Sequence, residues 1–376
     1  MKSDTPHEPP VKVSTLELFF DLIFVFTITQ LTELVIEAHT ILEWLRIPAL
    51  LAIIWWMYSG YVWLTNNSNM QLAKPRALLL LAMAGFLIMA LAIPTAFEAG
   101  GLAFALAYFL LVLIHFILFN HTKNASSVAA IWRLAPFNFG ACLCLLLAGL
   151  LENPVKAYLW VLAFVILLSS SSVRQENSFV LRTSHFAERH GLVILIALGE
   201  SVVGIGVGAK AEPLGVALIL ACLLGLTLCI ALWWVYFDND DGLAEHALAA
   251  ASGGARIRMA MLGYGYAHLF LILGIVISAA GIKQMIAQLH NPSQSAAWSV
   301  GIGVAIYLCA QAWFRRVAGI KQSLSRLLAG VVVLSTIPLG LYLGGFTQVA
   351  VMVVGLVLLK MFDKKVARAA EVSVRL

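Results

Sequence analysis

Leu16-Glu17-Leu18-Phe19-Phe20-Asp21-Leu22-Ile23-Phe24-Val25-Phe26-Thr27-Ile28-Thr29-Gln30-Leu31-Thr32-Glu33 is the stretch on which the reading of this chain turns. As a helix it rises about 27 Å, close to the ~30 Å hydrocarbon core of a bilayer. It is apolar enough to lie there, yet it carries three acids. Runs of similar length and polarity recur to the end of the chain, at 16–38, 46–65, 77–97, 101–120, 128–151, 155–173, 190–209, 213–237, 257–282, 296–314, 324–344 and 346–363. At roughly 20 apolar residues per crossing, these predict about twelve transmembrane helices.

Composition points the same way. Of the 376 residues, 61% are hydrophobic and 11% charged, and the mean hydropathy is +0.93. Soluble domains carry about 25% charged residues. A soluble globule cannot hide so much apolar surface, so the expected fold class is all-α, a polytopic membrane helix bundle. The five cysteines (Cys142, Cys144, Cys222, Cys229 and Cys309) sit in apolar runs without CxxC pairs, and read as small core residues rather than disulfides or metal ligands. The first run has acids and no small-residue cleavage site, so it is expected to persist rather than leave as a signal peptide.

The net charge of +5 does not call for a nucleic-acid partner, because the basic residues sit where orientation signals belong. Twenty of the 24 Lys and Arg fall on alternate loops that share one side, among them Lys2, Lys12, Arg174, Arg189, Arg315, Arg326 and Lys360. Arg46, Lys156, Lys210 and Lys283 fall on the other. By the positive-inside rule both termini are expected in the cytoplasm of an inner-membrane protein.

The two halves resemble each other. Phe19-Phe20-Asp21 opens the first helix and Phe186-Ala187-Glu188 the seventh, and twelve residues after each acid comes another, Glu33 and Glu200. Trp55-Trp56-Met57-Tyr58 and Trp233-Trp234-Val235-Tyr236 occupy the helices that follow. The expected organisation is a cytoplasmic segment 1–15, two parallel six-helix repeats over 16–173 and 174–363, and a basic cytoplasmic tail 364–376.

Charges within a membrane are costly and mark function or an internal pair. Glu17 and Asp21 share a helix face, and either pair with loop arginines or begin a path. Thr29, Gln30 and Glu33 continue a polar stripe, but Asp21 and Glu33 stand about 18 Å apart along the axis and cannot form one site. Glu200 lies near the middle of an otherwise apolar span. His185, Glu188 and His190 lack the spacing of a metal motif and suit capping and ion pairing better. Trp56 and Trp234, with their neighbours, either pack on the first helix of each half or line a path. Asn66, Asn67, Asp238, Asp240 and Asp241 end their helices on one side, as solvated loop ends or, with Asp21 and Glu188, as an acidic vestibule. The candidate pathway residues are thus Glu200, Asp21, Glu33, Gln30, Glu188, Trp56, Trp234 and Asp238. No catalytic set, metal site or cofactor motif emerges.

Glu17-Leu18-Phe19-Phe20-Asp21-Leu22-Ile23-Phe24-Val25-Phe26 with Ile28-Thr29-Gln30-Leu31, together with Glu188-Arg189-His190-Gly191, Leu198-Gly199-Glu200-Ser201 and the two Trp-Trp helices, resembles the bacterial low temperature requirement A family over nearly the whole chain. The resemblance implies a bacterial inner-membrane protein, and the family name, from a cold-growth phenotype, supplies no mechanism. Phe19-Phe20-Asp21 with Phe24, Ile28 and Thr29 is also similar to the first helix of a lysosomal and bacterial potassium-channel family, although Phe20 stands where that family has Ser. That family lines its pore with the first helices of six-helix repeats. The sequence therefore favours a protein that moves an ion or small solute, a proton-coupled carrier before a cation channel with Phe24, Ile28 and Leu31 as its constriction, and either before a membrane enzyme or envelope regulator. Its expected partners are the bilayer and an ion or small-molecule substrate, with oligomerisation left open.

Overall fold

The computed structural model describes residues 13–68, 70, 72–170, 181–291 and 293–375, with side chains as far as Lys365. Lys2, Lys12 and Arg174, and with them most of the expected N-terminal segment and the boundary at 174, lie outside the described residues. The described chain is all-α. Its helices are α1 (Thr15–Glu37), α2 (Ile41–Asn67), α3 (Ala73–Ala92), α4 (Gly101–Asn120), α5 (Ala125–Leu150), α6 (Val155–Ser170), α7 (Thr183–Ala209) and α8 (Val216–Phe237). They continue as α9 (Asp240–Ala250), α10 (Gly253–Met259), α11 (His268–Ala287), α12 (Gln294–Val317), α13 (Ser323–Ser335), α14 (Ile337–Leu343) and α15 (Gly345–Arg375). A π-helical stretch, Ala260–Ala267, joins α10 to α11 in one rod, and α13 and α14 form another, broken ahead of Pro338. Among the described residues eleven rods are long and apolar enough to cross a membrane, and α6 is a shorter apolar twelfth.

Several helices begin earlier than hydropathy alone places them, because capping chemistry, not apolarity, sets a helix start. Ser14 and Glu17 form a reciprocal capping box at the start of α1. Thr40 and Glu43 do the same for α2, which starts at Ile41 rather than 46. Helix α7 starts at Thr183, seven residues ahead of the apolar run, so His185, Glu188 and Arg189 are helical. The loop expected after 237 contains α9, and the tail expected from 364 is a continuation of α15 to Arg375. The tight turn at Gly344–Gly345 is formed with Gly344 at φ +91°, a conformation that favours glycine.

Helix α11 is the central rod, packed along α12, α7 and α1. Its approach to α12 is close enough to require glycine. A Cβ on Gly274 would stand 2.6 Å from the backbone nitrogen of Tyr307, and one on Gly281 2.6 Å from that of Val300. Small residues at such a seam let two backbones gain dispersion contact where lipid offers no hydrophobic drive.

Candidate functional site

Helices α1 and α7 run side by side, joined by polar contacts at two heights. At the lower one, Arg189 of α7 has no exposed surface. Its guanidinium donates from Nη1 to Glu17 Oε1 and Thr65 Oγ1, each at 3.1 Å, and from Nη2 to Asp21 Oδ1 at 2.5 Å. Tyr58 donates to the same Asp21 oxygen at 2.7 Å, and His185 Nε2 lies 3.1 Å from Glu17 Oε1. Asn66 braces the cluster, bonding the backbone of Arg182 in both directions and meeting His185 Nδ1 at 3.2 Å. Two carboxylates around one guanidinium would be prohibitive to bury unpaired; the charge-assisted hydrogen bonds make the arrangement tenable although Asp21 Oδ2 and Arg189 Nε are left without a partner.

At the upper height Thr29 donates to Glu200 Oε1 at 2.7 Å. Glu33 and Lys283 of α11 form an ion pair there, and both act electrostatically on Glu200. Side-chain exposure is 16% at Lys283 and 41% at Glu33, so this end is wetter than the Arg189 end. Along α1 the two contacts are eight residues apart, from Asp21 to Thr29, and along α7 eleven, from Arg189 to Glu200. Both sequences rise in the same order, so α1 and α7 run parallel, and two helices crossing in one direction have an odd number of crossings between them.

The structure redistributes the candidates. Asp21 and Glu33 stand apart, each with its own cation. Glu188 turns away from Arg189 to the exposed surface, where the backbone of Val13 donates to it at 3.3 Å. Gln30 is half-buried and without a side-chain hydrogen bond among the described residues. Trp56 donates to Asn138 at 3.1 Å and lines an apolar cavity of about 360 Å³ with Trp55, Trp63 and Phe270, away from the charged seam. Trp55 packs on Phe24 and Tyr58, and donates to the Gly265 carbonyl at 2.7 Å. The second Trp pair is placed differently: Trp233 is 42% exposed, and Trp234 donates to Asp238 one turn on, at 3.0 Å.

Several cations assigned to loops are instead spent inside the fold. Asp238 pairs with Lys360 at 3.0 Å, and Asp240 with Arg315 at 2.7 Å, while the buried Arg326 reaches Asp363 at 2.6 Å. Lys283 lies within α11, not in a loop. Orientation signals and pair partners are the same residue types, and only the fold separates them. Sequence reasoning missed Arg189, Tyr58 and Lys283 as members of the seam. The signal for Arg189 was present: it lies one turn beyond His185, on the same helix face, and both meet the acids of α1.

Eleven rods among the described residues that are long and apolar enough to cross a bilayer, with charged pairs buried between them, define a polytopic membrane protein. The family model for the bacterial low temperature requirement A protein matches residues 12–361, and the chain belongs to that family. It is 27% identical over 325 residues to an uncharacterized protein of Rhizobium meliloti (strain 1021), covering 82% of this chain and 78% of that protein. No solved structure matches the chain.

Proposed function

We propose that this protein carries an ion or small solute across the bacterial inner membrane and that Glu200 exchanges a proton in each cycle. Both termini are cytoplasmic in this reading, and the halves 16–173 and 174–363 move against each other as parallel repeats. The observation that carries the proposal is the α1–α7 seam, with a sealed charge cluster at one end and a half-open one at the other. Alternating access needs two such closures that part in turn. A carboxylate that must cross a low-dielectric region does so more cheaply once neutral, and Glu200 is half-buried, next to the wetter closure. The channel reading gains less support, since Phe24, Ile28 and Leu31 are at most 1% exposed and tightly packed, Phe24 with its ring 4.3 Å from that of Tyr58.

The test is flux in vesicles reconstituted with the purified protein, using a pH-sensitive dye and a panel of ions and small solutes. Glu200→Gln is expected to abolish proton coupling while solute exchange persists. Currents far above carrier turnover that survive Glu200→Gln would replace the carrier by a channel. Absence of all flux from folded protein would leave an enzyme or regulator.

A further inference from the structure

At the Arg189 end of the bundle, most of the acids are matched by a cation. Among the described residues there, Glu17 and Asp21 pair with Arg189, Asp238 with Lys360, Asp240 with Arg315 and Asp363 with Arg326. Glu188, Asp241 and Glu245 have no such partner among the described residues, and all three line one cavity. It measures about 260 Å³ and lies between α7, the end of α8 and α9. No basic side chain lines it; its remaining walls include the rings of Tyr236, Phe237 and Tyr264.

A second observation is independent of the acids. Tyr264 is 2% exposed, and its hydroxyl has no hydrogen-bond partner. Tyr264 lines the cavity together with Glu245 and Asp241, whose charges act on that phenol. A buried hydroxyl without a partner forgoes its solvation, a cost that a ligand bearing hydrogen-bonding groups would offset.

We propose that this cavity binds an organic ammonium ion, held by the carboxylates of Glu188, Asp241 and Glu245 and by the aromatic faces of Tyr236, Phe237 and Tyr264. The chemistry selects this class over the alternatives. An anion would meet three like charges. A bare metal ion would need three or more ligands converging within bonding distance, and among the described residues no group of three His, Cys, Asp or Glu is so placed. Ring faces attract a diffuse cation by their quadrupole, and most strongly where water is partly excluded. The proposal deepens the carrier reading by naming the solute class, and rests on it only for transport, not for binding.

The probe is tetramethylammonium, titrated calorimetrically into the full chain in detergent, with neopentyl alcohol as the neutral analogue and potassium as the compact cation. Saturable binding of tetramethylammonium is expected, at least tenfold tighter than of either control. Asp241→Asn with Glu245→Gln should weaken it about tenfold or more, and Phe237→Leu should weaken it less. An unchanged thermal midpoint shows that each variant is folded; should the double variant not fold, Phe237→Leu and the neutral analogue still decide. No binding by folded wild-type protein, or equal binding of potassium, overturns the proposal. Ammonium binding without flux would uphold this site and defeat the carrier. Flux of another solute with no ammonium binding would do the reverse.

Discussion

The two ends of the α1–α7 seam are both closed by charge, in opposite ways. At one end Arg189 has no exposed surface and is held by Glu17, Asp21 and Thr65. At the other, Lys283 of α11 meets Glu33 directly in a pair that is only partly buried. Burying an ion costs several kcal/mol, and its paired partners offset that cost, so no member of the first cluster can leave alone. A pair that is partly open to its surroundings contributes less than a fully buried one and is more easily broken. The sealed end therefore parts only when its charges move together and at high cost, while the wet end opens and closes more readily.

This contrast is most exposed to Arg189→Met, which strands Glu17 and Asp21 in the interior. We expect a loss of about 3–5 kcal/mol, read as a lower thermal midpoint and a lower yield of monodisperse protein. Adding Glu17→Gln and Asp21→Asn should recover much of it. A silent Arg189→Met would mean that the sealed end is not sealed.

Gly281→Ala asks whether the wet end is loose in its backbone or only in its side chains. Two residues before Lys283, it would press a methyl group onto the backbone of α12, and we expect a destabilisation of about 1–3 kcal/mol. A neutral result would show that α11 shifts freely there. Smallest in stability is Lys283→Met, expected to cost under about 1 kcal/mol. Its effect should be on transport, changing the rate of exchange in vesicles while the thermal midpoint stays within a degree or two.

The fold was legible because crossing a bilayer leaves a plain mark: twelve apolar runs became twelve rods, and the acids of the first run lie at the seam. Helix starts at Ile41 and Thr183 were not legible from hydropathy, since a polar first turn can lie outside the apolar zone. The partners of the acids were hidden for a different reason. Arg189, Lys283 and Arg315 look like loop charges in one dimension, and an ion pair between residues 168 or 250 positions apart leaves no local pattern. The likeness of the two Trp-Trp strings was real in sequence, yet one pair faces an internal cavity and the other carries an exposed ring, because their neighbouring helices differ.

The wide turn at Ala260–Ala267 has a consequence for which changes in chain length the protein tolerates. In that stretch the carbonyls of Gly263 and Gly265 serve side chains, His268 Nδ1 at 2.9 Å and Trp55 Nε1 at 2.7 Å. The turn holds a surplus residue that an ordinary α-helix would not accommodate. Removing one residue would restore the regular spiral and, because the wide turn is what absorbs the extra residue, leave the helices on either side in nearly their present orientation. What would be lost are the two freed carbonyls that hold His268 and Trp55. A deletion there would thus cost the fold two side-chain hydrogen bonds and not its register, whereas a deletion elsewhere in the same rod would turn its two parts by about 100° relative to each other.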